Sequence, residues 1–78
     1  MADITVAEVR FARLPASTSR AKAWLAYDMA DESRVVGYVI WRTALTKREA
    51  AKLCSKRFRA WCAVEPVRVR STGDTSNG

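Results

Sequence analysis

A chain of 78 residues with 14 Lys+Arg, 8 Asp+Glu and no histidine forms one small domain of formal charge +6, which excludes a multidomain enzyme and any metal site built on imidazole. At 49% hydrophobic it lies outside the disordered class, where low hydrophobicity accompanies high net charge. A domain this small buries only about 60% of the surface its unfolded chain exposes, so its stability margin is thin.

The N-terminus, Met1-Ala2-Asp3-Ile4, lacks the basic region and apolar run of a signal peptide. The longest stretch without charge, Val35 to Trp41, is far shorter than the roughly 20 residues of a membrane-spanning helix. These features predict a cytoplasmic chain with no membrane partner. Ile4 and Val6 alternate, and the phase then shifts to Val9 and Phe11. A strand bulged near Ala7-Glu8, or a strand starting at Val9, accounts for the slip. Pro15 and the following Ser/Thr stretch end it as a loop. Ala23 to Thr43 reads as a β-hairpin with its turn at Asp31-Glu32-Ser33, and Asp28 and Asp31 are placed to cap the bend. A register slip of one residue would exchange its two faces.

Thr46-Lys47-Arg48-Glu49 is a capping box that opens a helix, and Leu45 ahead of it is placed to staple onto Ala50. Ala50, Cys54, Phe58 and Trp61, with Ala51 and Cys62 beside them, fall within roughly 120° of arc. Arg48, Lys52, Lys56 and Arg59 fall within roughly 80° on the opposite side. The helix is expected to run on toward Pro66 and to stop before it. Cys54 and Cys62 would then lie about 12 Å apart on one helix, too far for a disulfide, and are read as buried thiols suited to a reducing interior. Val67 to Arg70 makes a short last strand, which Pro66 would confine to an edge or a strand start. The expected fold is α+β: a small antiparallel sheet of three to four strands, in the order β-β-β-α-β, with one amphipathic helix on one face. Residues 1–70 form the domain and 71–78 a disordered tail.

The charge is polarised. Residues 1–41 carry five basic and five acidic groups, whereas residues 42–70 carry nine basic groups against Glu49 and Glu65. Ten of the 14 cations are arginine, whose planar fork suits phosphate oxygens. A cationic stripe along one helix flank is the footprint of a polyanion binder, although it also serves as an ordinary solvated face. The segment Arg34 to Thr43 is apolar on both faces, while one helix can cover only one of them. If the uncovered face holds Tyr38 between Arg34 and Arg42, it forms a stacking platform with phosphate clamps. If instead Val36, Tyr38 and Ile40 are core, the platform vanishes. Trp24 and Trp61 are read as packing residues.

Phosphate-loop, dinucleotide-binding and nucleophile motifs are absent, and the acidic residues are scattered over turns and caps, so no enzyme activity and no cofactor is expected. Three strands followed by an amphipathic helix, with Gly37 in the last strand and Glu49-Ala50-Ala51 opening the helix, loosely resemble DNA-binding domains of the integrase arm-binding type. The resemblance spans Trp24 to Trp61 and implies reading of DNA by the sheet. Its motifs are common patterns, and no residue role is carried across.

Two functional expectations result. The first is a small basic nucleic-acid-binding accessory protein, taking DNA or RNA with low sequence specificity. Arg48, Lys52, Lys56 and Arg59 would contact phosphates, Arg42, Arg68 and Arg70 would extend the patch, and Tyr38 would stack. The second is a protein-binding inhibitor or adaptor, of the size phages and mobile elements encode, that meets an acidic protein surface through the hairpin and its arginines. A homodimer through the exposed sheet face is a variant of the second.

Overall fold

The computed structural model describes residues 3–15 and 17–70, apart from the side chains of Glu32 and Ser33. The expected tail, 71–78, lies outside the described residues. The fold is α+β, with strands β1 (Ile4–Val6), β2 (Val9–Arg13), β3 (Arg20–Asp28) and β4 (Asp31–Thr46), helix α1 (Lys47–Phe58) and strand β5 (Cys62–Arg70). The five strands form one antiparallel sheet in the order β1-β2-β5-β3-β4. This corrects the expectation of three to four strands and of a single strand ahead of the hairpin.

The extra strand arises at Ala7-Glu8. Both residues take positive φ, 50° and 70°, as a tight two-residue hairpin turn requires. The phase slip in the sequence is therefore a reversal of the chain rather than a bulge, and Val6 pairs with Val9. The next hairpin turns at Met29-Ala30, ahead of the expected Asp31-Glu32-Ser33, which lies inside β4. Neither Met29 nor Ala30 is a turn former. The Asp28 carboxylate supplies the turn by accepting from the Ala30 N–H at 2.8 Å.

The helix starts where its capping box places it. Thr46 Oγ1 accepts from the Glu49 N–H, and the Glu49 carboxylate accepts from the Thr46 N–H at 2.9 Å. It stops at Phe58, well short of Pro66, because Arg59 turns into the left-handed region at φ 55°. Cys62 consequently belongs to β5 and not to the helix, and Trp61 is 81% exposed instead of packed. Both cysteines are nonetheless buried free thiols, and burial pushes the Cys54 thiol up to about 11.

β5 is central and carries Pro66 in mid-strand, opposite Trp24, where an edge or a strand start was expected. The Pro66 carbonyl accepts from the Leu14 N–H, just past the end of β2. In a strand the N–H and C=O of one residue point to the same neighbour, so the donor that proline lacks also faces the end of β2. The β5–β3 ladder thus loses nothing at Pro66.

Two cores sandwich the sheet. On the helix side, Trp24, Ala26, Val39, Leu45 and Val64 pack with Ala50, Cys54 and Cys62. The Trp24 indole is fully buried, and its Nε1 donates to the Ala21 carbonyl at 2.8 Å. On the other side Phe11, Ala23, Leu25 and Val67 are buried, with Ile4, Val6, Val9, Tyr27, Val35 and Tyr38 packed around them. No helix covers this second core. The sheet covers it by curling: β2 and β4 are three strands apart, about 14 Å in a flat sheet, yet the Phe11 and Tyr38 rings meet at 5.0 Å. β1 also touches β4 across the concavity.

A bulge in β4 assigns the faces. Ala26 pairs with Gly37 but Tyr27 with Val35, so Val36 is the extra residue. Val36 packs on the helix side and Val35 on the concave side, which separates Val36 from the face it was expected to share with Tyr38 and Ile40. Gly37 lies directly beneath the Phe58 ring, and a Cβ there would overlap it. Gly37→Ala should lower stability by about 1–3 kcal/mol in urea denaturation, and Gly37→Ala combined with Phe58→Leu should recover part of the loss. Replacing Ala7-Glu8 by Asn-Gly, which prefers the same turn, should raise the denaturation midpoint by an amount equivalent to about 1 kcal/mol.

Candidate nucleic-acid interface

Along α1, Ala50 and Cys54 face the sheet and are buried. The three-and-four-residue spacing that buries them turns Arg48, Lys52 and Lys56 outward, Arg59 follows as the left-handed C-cap, and all four are exposed. None of these four forms an ion pair with any described residue. Glu49, the acidic group nearest them in sequence, is held by the cap. The Thr46 N–H that it accepts keeps its carboxyl below the usual carboxylate range, and the charge of Arg20 adds to the effect.

Lys52 and Lys56 share a hollow with Trp41, Leu45 and Leu53, so the helix flank continues onto β4. Lys56 and Arg59 share another with the exposed Trp61. Arg42 follows Trp41 on β4 and is exposed, and Arg68 lines a third hollow with Lys22, Ile40 and Trp41. Arg48 is exposed at the helix start and borders none of these hollows.

Two expected site residues separate from this surface. Arg70 is held by Asp3, its Nε 3.2 Å from the carboxylate, which also takes Arg10 at 3.5 Å. Tyr38 is half-buried on the concave side against Phe11, in a core that the curl of the sheet closes. The expected stacking role called for an open face between Arg34 and Arg42, whereas here the Tyr38 ring packs on Phe11.

Two residues that belong to the surface escaped sequence reasoning: Trp41 and Lys22. Their exposure stems from a break in β3–β4 pairing. Ala21 pairs with Leu45 and Ala23 with Ile40, so five steps along β4 answer two along β3. Trp41, Arg42, Thr43 and Ala44 bow out of the ladder, and all four are exposed. No local sequence signal marks this break.

A separate polar cluster lies on the concave side near β5. Glu65 accepts from the Tyr27 hydroxyl at 2.7 Å on one oxygen and pairs with Arg13 through the other. Burial, reinforced by the bond to Glu65, pushes the Tyr27 phenol up to about 12. The cluster joins β2, β3 and β5, and its groups satisfy one another. Among the described residues, no three His, Cys, Asp or Glu side chains gather closely enough to hold a metal ion, and no helix is long and apolar enough to cross a membrane. Comparison with known proteins finds no matching family model, curated protein or solved structure.

The raised Tyr27 value means that the folded state favours the protonated phenol. That contribution to stability is complete below pH 10 and is lost as pH rises through about 12. Denaturation midpoints measured across this window should fall in the wild type, and Tyr27→Phe should flatten the fall.

Proposed function

We propose that the chain is a small basic nucleic-acid-binding protein of low sequence specificity, gripping phosphates through the outward face of α1. The observation that carries this reading is a division among the cations. Arg10 and Arg70 are paired with Asp3 and Arg13 with Glu65, whereas Arg48, Lys52, Lys56 and Arg59 have no carboxylate partner among the described residues. Exposed like charges gathered on one short helix repel one another, and a polyanion relieves that repulsion by replacing many loosely held counterions. Arg68 and Lys22 extend the surface beside Trp41, and Arg42, exposed on β4, follows that ring in the chain. Arg70 and Tyr38 have no place in it. With nothing aimed at base edges, affinity rests on the backbone of the nucleic acid.

A second reading, docking on an acidic protein surface, draws on one observation of its own. β4 is an edge strand, and beside its irregular stretch Ile40 and Trp41 are 47% and 48% exposed. A protein partner recovered from lysate after nuclease treatment supports this reading over the first.

Fluorescence anisotropy with labelled DNA and RNA oligonucleotides at two salt concentrations tests the proposal. Binding should weaken with salt at a log–log slope of about −4, and Lys52→Ala with Lys56→Ala should reduce its size by about 2. Arg70→Ala should leave the slope unchanged. Affinity weaker than about millimolar at low salt, or no dependence on salt, overturns the reading.

A further inference from the structure

Trp41 stands between two apolar hollows, each rimmed by cations. On one side the ring borders a hollow of about 330 Å³ with Ile40 and Val69, and Lys22 and Arg68 line it as well. On the other it borders a hollow of about 300 Å³ over Leu45 and Leu53, with Lys52 and Lys56 at the margin. Glu49 also borders the second hollow and stays ionised there, one carboxylate oxygen accepting the Thr46 N–H, so the cations on that margin outnumber it two to one. The indole is 48% exposed and Val69 41%. A tryptophan half exposed in this way offers part of its aromatic surface to solvent, and no ring among the described residues packs against it.

From this arrangement we infer that the ligand is single-stranded nucleic acid, with an unpaired base stacked on Trp41. The phosphates on either side of that base are taken by Lys22 and Arg68 in one direction and by Lys52 and Lys56 in the other. The inference rests on the nucleic-acid reading of the helix face and narrows it. Charge complementarity selects the occupant: an apolar hollow alone would suit an apolar peptide, but cations on both margins suit a chain in which flat bases alternate with anions. A duplex keeps its bases stacked on one another and can offer Trp41 only its backbone. Stacking is tolerant of sequence because every base has a π-face, which agrees with the absence of base-edge readers.

The test compares three labelled probes by anisotropy: a short oligothymidylate, the matching duplex, and an abasic oligomer of the same length. The wild type should bind the single strand about tenfold or more tighter than the abasic oligomer, and Trp41→Ala should erase that difference while Trp41→Phe retains most of it. In a Trp61→Phe background, oligothymidylate should quench the Trp41 emission, since the remaining Trp24 is fully buried. This readout does not depend on the alanine variant folding. Equal affinity for single strand and abasic oligomer, or Trp41→Ala binding all three probes as the wild type does, overturns the inference and leaves the helix face as a backbone binder. Failure to bind any of the three overturns the nucleic-acid reading itself, and with it the inference.

Discussion

The meeting of Phe11 with Tyr38 across the concave side is the contact on which the architecture depends. A sheet of this size has two faces and the chain has one helix, so one face would stand wet unless the sheet covered it. Curling brings the β1–β2 hairpin over Leu25 and Val67, both essentially inaccessible to water. Each side chain of this size contributes about 1.5–3 kcal/mol when fully buried, a large share of the stability open to so short a chain. The turn at Ala7-Glu8 matters for the same reason. Its two left-handed residues are strained locally, and the strain is offset by what the hairpin covers.

The proposed contact surface has two parts, the outward flank of α1 and the bowed stretch of β4. These two parts adjoin, because α1 directly follows β4 and packs back against it. The Phe58 ring resting on Gly37 holds the helix close to β4, so that Lys52 and Lys56 share a hollow with Trp41. The packing that forms the first core therefore also brings the cations to the aromatic ring.

Charge follows the same division. Arg13 and Glu65 tie β2 to β5, and Asp3 holds the cations of Arg10 and Arg70 beside each other on neighbouring strands. These pairs are surface interactions worth at most about 1 kcal/mol each. Three arginines share two carboxylates here, whereas Arg48, Lys52, Lys56 and Arg59 have none among the described residues.

Local sequence determined the helix start, its buried Ala50 and Cys54, its cationic flank, the α+β class and the polarisation of charge toward residues 42–70. Helical hydrogen bonds and caps close within four residues, so their signals lie side by side in the chain. Tertiary structure alone decided that Arg70 pairs with Asp3, that Tyr38 packs on Phe11, that β5 is central despite Pro66, and that Trp41 is exposed. Most of these depend on segments far apart in sequence coming together, as β2 and β5 meet across more than half the chain, while Trp41 is exposed because the neighbouring strands β3 and β4 lose register at Lys22, where neither residue type nor spacing marks the break. Period-two patterns show that a segment can be a strand. They carry no information about its neighbour, and the neighbour decides which arginines and which aromatic ring remain in water.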